Sequence, residues 1–318
     1  MSVDGRTVVC VTPAGRMRYM RELVPFILSD PAVDRYDIWA NTANKVDLAF
    51  IEALGEFDKV RVLDRQKLTY EPTHSIYSFF PTACERGTVY IRFDDDVVFV
   101  EEGAIGRLAA YRIAHPEYFL VAPIIINNAV VTSLLQARGL LRDLPLVQPC
   151  FEDPAGWQNP DFAARLWEQF LSRIEAGTVA ELHTADTPLG FNRISINCIS
   201  WLGEEFAKFD GVVDALEEFD LSVAKPAQLN MQNMLYGGAV VGHFAFYPQR
   251  LQMDRSGLLE RISAANGRLG YLDHAIRKRV HEIADRITAT HPPEPFLRKV
   301  LRVAPGRIAE RLPWRRPR

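Results

Sequence analysis

Hydrophobic and polar positions follow two alternating patterns along the N-terminal part of the chain. The run TVVCVT at 7–12 is continuous and β-branched, which is typical of a buried parallel strand. Further strand-like runs lie at 36–42, 59–64, 88–93 and 118–126. Between them apolar residues recur at helical spacing, first over 20–28, where Pro25 either kinks the helix or delays its start. Strands and helices in this order predict an α/β fold whose central sheet is mostly parallel and flanked by helices.

The second half of the chain is less regular. A loop rich in proline, glycine and aromatic residues precedes an amphipathic helix near 162–174, and strand-like runs return before and after residue 220. From 257 to 290 the spacing is helical, with a break near Gly267 and Gly270. We predict a single domain followed by a helical extension. The predicted boundaries are 1–255 for the domain, with halves 1–126 and 127–255, and 256–318 for the extension.

Composition narrows the class of protein. The chain has 318 residues, 48% of them hydrophobic and 24% charged, with a formal net charge of −3, which gives no reason to expect a nucleic-acid partner. Four cysteines without a CxxC pair predict buried free thiols in a reducing cytosol. The N-terminus has no secretory pattern, and the longest apolar stretch, 119–126, is too short to cross a bilayer. We therefore expect a cytoplasmic protein.

An acidic triplet, Asp94 to Asp96, interrupts the apolar stretch TVYIRFDDDVVFV. Burying unpaired carboxylates is costly, so the triplet needs a partner or solvent. It follows a predicted strand, and the carboxyl ends of such strands are where α/β sheets bind ligands. Carboxylate oxygens suit Mg²⁺ or Mn²⁺, and either ion would relieve the repulsion between them. The alternative is a solvated acidic turn.

With RFDDDVVF at the end of the fourth strand, the sequence resembles the GT-A glycosyltransferases, nucleotide-diphospho-sugar-dependent enzymes with one Rossmann-like domain and a DxD motif. The resemblance implies that Asp94 contacts the donor, that Asp96 binds the metal and that Asp95 is shared between both roles. It also implies a metal site of Asp94, Asp96 and His243. The alternative for His243 is a hydrogen-bonded core histidine.

A second stretch, ALEEFDLSV at 215–223, is similar to the GEDVDLSLR-like segment of inverting GT-A enzymes. The resemblance implies that Glu218 is the general base, with Glu217 and Asp220 as alternatives. Glutamate stands where that segment has aspartate, and a charged first turn of a surface helix is the competing interpretation. A carboxylate in this role takes the proton of an acceptor hydroxyl, while a divalent cation stabilises the departing diphosphate.

The resemblance further implies metal-dependent transfer from a UDP- or GDP-sugar, with UDP favoured, to a glycan or lipid-linked glycan acceptor in bacterial surface polysaccharide synthesis. Donor contacts are expected after the early strands and beside the acidic triplet, although each is equally ordinary turn chemistry. The donor candidates are Thr12, Pro13, Arg16, Asn41, Asn44, Asp64, Arg92, Asp94 and Asp95, with Arg250 as a further diphosphate contact. The acceptor candidates are Trp201, Glu204 and Glu205; a core position is the default for the tryptophan.

The segment 295–318 interleaves arginine and lysine with apolar residues and Trp314. This pattern favours peripheral binding to the inner face of the membrane, and a solvated tail is the alternative.

Two other functions compete. A sugar-nucleotide nucleotidyltransferase shares the sheet plan, but its glycine-rich, lysine-containing first loop is missing from TPAGRMRYM. A non-catalytic carbohydrate-binding or scaffold protein would show no metal-dependent nucleotide affinity.

Overall fold

The computed structural model describes residues 3–63 and 76–290. Asp64 and the basic segment 295–318 lie outside the described residues, so the predictions made for them stay predictions. Among the described residues, no helix combines the length and the apolar character needed to cross a membrane.

The described strands form one mixed sheet. They are β1 (Thr7–Ala14), β2 (Arg35–Ala40), β3 (Val60–Leu63), β4 (Thr88–Phe93), β5 (Val97–Val100), β6 (Tyr118–Ile126), β7 (Thr187–Gly190), β8 (Cys198–Leu202) and β9 (Gln232–His243). Their spatial order is β3-β2-β1-β4-β8-β6-β9-β5, and β7 pairs with β9 outside this path. The strands β1, β2, β3, β4, β6 and β9 run in one direction. The predicted α/β class with a mostly parallel sheet is confirmed.

Helices cover the sheet. The longer ones are α1 (Met17–Ser29), α2 (Lys45–Leu54), α3 (Ala104–Ala114), α4 (Ala129–Ala137) and α5 (Pro160–Ala176). Short helices follow as α6 (Gly203–Phe206), α7 (Glu217–Phe219), α8 (Lys225–Leu229) and α9 (Arg250–Met253), and the described chain ends with α10 (Leu258–Asn266) and α11 (His274–Thr290). Helix α1 begins at Met17 and continues past Pro25, so the proline does not delay its start. The predicted break near Gly267 and Gly270 separates α10 from α11.

Strand β5 is the element that the sequence analysis left unassigned. The VVFV run after the acidic triplet turns back as a separate strand and pairs antiparallel with the end of β9, placing Val97 opposite His243. This pairing brings the triplet to the carboxyl end of β9. The predicted fifth strand, Tyr118–Ile126, is therefore the sixth in the chain.

Strand β8 is antiparallel to β4, and this direction corrects one group of predictions. Cys198 pairs with Phe93 at the edge that carries the triplet, whereas Leu202 pairs with Val89 at the opposite edge. Trp201 is fully buried, stacks on Tyr90 and donates its indole N–H to the carbonyl of Ala83 at 3.1 Å. It is a core residue and cannot stack on an acceptor sugar.

Glu204 and Glu205 follow β8 and lie at that same opposite edge. Glu204 pairs with Arg6, which immediately precedes β1, at 2.5 Å, and Glu205 pairs with Lys208 at 2.5 Å. The prediction that these two carboxylates line the acceptor side is wrong, because the reversed direction of β8 carries them away from the triplet.

The C-terminal helices pack on the domain through a buried carboxylate of α1. Glu22 is 3% exposed and accepts hydrogen bonds from Ser263 at 2.7 Å and from Asn266 at 3.4 Å. Asn266 also donates to the carbonyl of Val98 at 2.9 Å. Helices α10 and α11 thus extend the helical layer beside α1, and the predicted boundary at 255 stays a prediction.

The four cysteines are free thiols. Cys10 and Cys198 are buried as predicted, whereas Cys150 is exposed and Cys84 is half-buried.

Candidate active site

The acidic triplet forms the turn between β4 and β5. Asp94 donates its backbone N–H to the carbonyl of Asn197 at 2.8 Å, and Val97 N–H closes the turn on the carbonyl of Asp94 at 3.1 Å. Asp95 and Asp96 are buried, at 4% and 2% exposure. The solvated acidic turn considered from the sequence is therefore wrong for these two carboxylates, and each requires a specific partner.

Asp94, Asp96 and His243 come together as a candidate cation site. Each offers one ligand atom, and the three atoms lie within 4.8 Å of one another. His243 Nδ1 lies 3.2 Å from the carbonyl oxygen of Asn127, so Nδ1 carries a proton, and in the neutral ring the lone pair is then on Nε2. That nitrogen faces Asp96 Oδ1 at 3.3 Å.

When the imidazole carries a proton on Nδ1 alone, two electron-pair donors face each other in a buried place. Asp96 Oδ1 has no hydrogen-bond partner among the described residues. Opposed lone pairs repel, and a cation between them would satisfy both. The carboxylates of Asp94 and Asp96 are ligands preferred by Mg²⁺ and Mn²⁺, and a neutral imidazole nitrogen completes the set. The donor set fits a divalent cation.

Asp95 holds the loop that follows β1. Its Oδ2 accepts the backbone N–H of Gly15 at 2.8 Å, and its Oδ1 accepts from Arg16 Nε at 2.7 Å and from Nη2 of the same guanidinium. Burial raises the pKa of Asp95 against the lowering effect of Arg16. Both oxygens accept hydrogen bonds from the protein and the residue is 4% exposed, so Asp95 holds the loop after β1, and its predicted donor contact stays a prediction.

Two arginines reach the second oxygen of Asp96. Arg16 Nη1 lies 2.8 Å from Oδ2, and Arg250 Nη2 lies 3.4 Å from it. Burial works to raise the pKa of Asp96, but the charge of Arg16, together with His243 and Arg250, outweighs it and holds the pKa well below its usual value. Asp96 is therefore an ionised carboxylate at neutral pH.

Asp94 is connected to the predicted base segment by a buried arginine. Arg92 Nη2 donates to Asp94 Oδ1 at 2.8 Å, and Nη1 donates to Glu217 Oε1 at 2.5 Å. Asn197 donates to the other oxygen of Asp94 at 3.1 Å. Burial raises the pKa of Glu217 to about 7, although Arg92 opposes the shift. Arg92 is 2% exposed and points to these carboxylates rather than to open solvent.

Glu218 is the more accessible carboxylate of helix α7. Its side chain is 29% exposed, against 10% for Glu217. Arg193 Nη2 lies 3.3 Å from Glu218 Oε2, and the same guanidinium stacks on the ring of Phe151 at 3.9 Å. Burial raises the pKa of Glu218 despite Arg193.

Asp220, the third candidate base, has a structural bond. Its Oδ2 accepts the backbone N–H of Asp214 at 2.9 Å, and the residue is 8% exposed. This bond closes the loop before α7, so Asp220 supports the segment that carries the two glutamates.

The predicted donor contacts after β1 and β2 divide into buried and accessible residues. Thr12 and Pro13 are buried within β1, and the Thr12 hydroxyl accepts from Tyr36 at 2.9 Å, so neither extends into the loop as predicted. Asn44 caps helix α2 by accepting from the backbone N–H of Val46 at 2.9 Å. The backbone N–H of Asn41 bonds to the carbonyl of Ala14 at 2.7 Å. Of this group, Arg16 is the residue that reaches the acidic triplet.

Several site residues were missed by sequence reasoning. Asn127 orients His243, Asn197 holds Asp94, and Arg193 pairs with Glu218. Asp47 accepts the first N–H of helix α1, from Met17, at 2.9 Å. The pair Asn127-Asn128 directly after a predicted strand was a usable signal, because polar residues at that edge of an α/β sheet point to its ligand site.

No protein-family model and no curated protein matches the chain. Similar solved structures include a glucosyl-3-phosphoglycerate synthase from Mycobacterium tuberculosis in complex with Mg²⁺ and uridine diphosphate, at 14% identity and TM-score 0.43, over 83% of this chain and 79% of that one. They also include S. aureus TarS 1-349, at 11% identity and TM-score 0.42 over 90% and 72%. A third is a 4-diphosphocytidyl-2C-methyl-D-erythritol synthase, at 11% identity and TM-score 0.43 over 80% and 98%. Identity this low leaves the chemistry of this chain to be inferred from its own side chains.

Proposed function

We propose that the protein is a metal-dependent glycosyltransferase that moves a sugar from a nucleoside-diphosphate donor to an acceptor hydroxyl. One observation carries the proposal: the candidate cation ligands Asp94, Asp96 and His243 lie at the same sheet edge as the accessible carboxylate Glu218. The buried Arg92 connects the two through Asp94 and Glu217. Transfer from such a donor needs one acidic group for a cation and a separate one for the acceptor proton.

The donor diphosphate would lie against the cation site. A divalent cation held by Asp94, Asp96 and His243 would offset the negative charge that develops on the departing diphosphate. Arg16 and Arg250 both reach Asp96 from partly exposed positions, each with 29% of its side chain accessible. Guanidinium groups bind phosphate oxygens in a fork geometry, so these two arginines are placed to hold the diphosphate.

The acceptor side would use Glu218. The acceptor oxygen attacks the anomeric carbon, the bond from that carbon to the diphosphate oxygen breaks, and the hydroxyl proton passes to the Glu218 carboxylate. A single displacement of this kind inverts the anomeric configuration. Glu218 is favoured over Glu217 because Glu217 is committed to Arg92 at 2.5 Å in the interior, whereas Glu218 shares a longer contact, 3.3 Å, with Arg193.

We infer a UDP-sugar as the donor ahead of a GDP-sugar, and a glycan or lipid-linked glycan as the acceptor. These finer assignments rest on the GT-A resemblance of the two acidic segments. A role in surface polysaccharide synthesis, with the basic segment 295–318 at the inner membrane face, belongs to the same proposal.

The first test is thermal stabilisation by UDP, GDP, CMP and ADP, each with and without Mn²⁺. We expect one diphosphate to raise the melting temperature only with Mn²⁺, and Asp96→Asn to abolish the shift. Glu204→Gln is the matched control, because this carboxylate lies at the opposite edge of the sheet. A wild-type protein that no nucleotide stabilises in the presence of Mn²⁺ would show that the proposed function is wrong.

A further inference from the structure

The Asp96 carboxylate contacts two arginines in addition to His243. Arg16 Nη1 and Arg250 Nη2 both contact its Oδ2, while Oδ1 faces His243. Arg16 is held more firmly than Arg250, because it also makes two bonds to the buried Asp95. Its backbone is fixed as well, since Gly15 N–H bonds to the same Asp95 carboxylate.

A divalent cation bound by Asp94, Asp96 and His243 would therefore lie close to the guanidinium of Arg16. Like charges repel over a few ångströms, and the repulsion is strong where the carboxylates are buried and solvent screens little. The cation must also share Asp96 with Arg16, whose Nη1 is 2.8 Å from Oδ2. Both effects weaken binding of the cation by itself.

A nucleoside diphosphate changes this balance. Its phosphate oxygens are negative and accept hydrogen bonds from a guanidinium. They can therefore draw Arg16 Nη1 away from Asp96, while Nε and Nη2 stay bonded to Asp95. The same oxygens ligate the cation. Repulsion between the cation and Arg16 is then offset by a group that attracts both.

We propose that Arg16 makes cation binding conditional on the nucleoside diphosphate. It acts as a built-in counter-ion of Asp96 that lowers the affinity for the cation alone and then becomes a diphosphate ligand, so that cation and nucleotide bind with positive cooperativity. This inference rests on the proposed function and adds a positioning role for one residue. Because coupling is reciprocal, Mn²⁺ must raise the affinity for UDP by the same factor by which UDP raises the affinity for Mn²⁺.

The test measures Mn²⁺ affinity of the full chain by calorimetry and by electron paramagnetic resonance, without nucleotide and with saturating UDP or GDP. We expect Arg16→Gln to bind Mn²⁺ alone about tenfold more tightly than the wild type and to lose most of the coupling to the nucleotide. Arg18→Gln is the matched control, because Arg18 pairs with Asp254 and stacks on Tyr19 outside the triplet. It should bind both ligands as the wild type does.

Arg16→Lys is a second variant, which keeps the test interpretable if Arg16→Gln does not fold. An ammonium group keeps the charge but cannot bond to Asp95 and Asp96 with two separate edges, so Mn²⁺ alone should bind with an affinity between those of the wild type and Arg16→Gln. Equal Mn²⁺ affinity and equal coupling in the wild type and the folded Arg16 variants would overturn the inference while leaving the proposed function intact. A wild-type protein that binds neither UDP nor GDP with Mn²⁺ would overturn both.

Discussion

Arg92 and Glu217 are separated by 125 positions in the chain, yet Arg92 Nη1 lies 2.5 Å from Glu217 Oε1 in the interior. The same guanidinium donates to Asp94 at 2.8 Å. One fully enclosed cation therefore connects the candidate cation site with the segment that carries the candidate base. The position of Glu218 relative to Asp94 depends on this connection, because Glu218 is the next residue after Glu217.

Removing one partner of the Arg92–Glu217 pair should lower the free energy of unfolding. Arg92→Met leaves Glu217 buried without its partner, and we expect the free energy of unfolding to fall by about 3–5 kcal/mol in urea denaturation. The double variant Arg92→Met/Glu217→Leu should be less destabilised, since the buried Glu217 carboxylate is removed with its partner and Asp94, 20% exposed, keeps the hydrogen bond from Asn197. A loss of under about 1 kcal/mol in Arg92→Met would contradict the enclosed position of the pair.

The two glutamates of α7 should respond differently to replacement. Glu218→Gln removes the proposed proton acceptor, and we expect kcat for transfer to fall by about 10²- to 10⁴-fold. Stabilisation by UDP with Mn²⁺ should stay at the wild-type level, because Glu218 contacts Arg193 and not the cation ligands. Glu217→Gln should lower kcat less and lower stability more. The reverse order of the two kcat values would assign the base to Glu217.

Much of the fold was predictable because its signals are local. The first four strands are short runs rich in β-branched and aromatic residues, and each is visible without knowledge of its neighbours. The acidic triplet was placed correctly at the end of β4 for the same reason. Strand β5 was missed because four apolar residues after Asp96 look like a continuation of the preceding strand, and its pairing with β9 is a long-range contact.

The errors on the predicted acceptor side share one physical cause. The direction of β8 depends on its partners β4 and β6, and nothing in the run around Trp201 encodes it. An antiparallel β8 places Asn197, rather than Trp201, beside Asp94. The contacts of Arg16 with Asp95 and Asp96 were likewise out of reach, because they join residues about eighty positions apart.

Gly242 permits the approach of the tryptophan that supports His243. A Cβ at this position would lie 2.6 Å from Trp167 Cη2, and Trp167 Nε1 donates to the carbonyl of His243 at 3.1 Å. We expect Gly242→Ala to cost about 1–3 kcal/mol of unfolding free energy. Displacement of His243 should also weaken Mn²⁺ binding in the presence of UDP by about tenfold. Gly270→Ala, where no atom lies within 4 Å of the added Cβ, is the control and should change neither quantity.

We expect residues at the sheet edge opposite the acidic triplet to have no role in transfer. Glu204 pairs with Arg6 at 2.5 Å, with about a quarter of each side chain exposed. Glu204→Gln should change the free energy of unfolding by at most about 1 kcal/mol, as expected for a solvent-screened pair. Transfer rates and the stabilisation by UDP with Mn²⁺ should equal those of the wild type. A selective loss of transfer in this variant would show that Glu204 does contribute to the acceptor side.

Stability should depend on pH through His281 of helix α11. Burial, with Arg21 and Arg277 nearby, lowers the pKa of His281 to about 4, while Glu22 and Asp285 also face the ring. An unfolded histidine has a pKa of about 6.5, so between these values the unfolded chain binds a proton that the folded protein does not. The contribution of His281 to stability is therefore complete above about pH 6.5 and is lost as the pH falls towards 4.

The variant His281→Asn keeps an acceptor for Arg21, which lies 2.7 Å from Nδ1, and removes the titrating ring. Urea denaturation from pH 7 to pH 4.5 should show a shallower loss of stability in this variant than in the wild type. Carboxylates titrate in both proteins, so the difference between the two profiles isolates the histidine. His274→Asn, at an exposed position of the same helix, should follow the wild-type profile. Parallel profiles for His281→Asn and the wild type would show that the buried ring takes up its proton in the folded protein as readily as in the unfolded chain, and that burial does not lower its pKa.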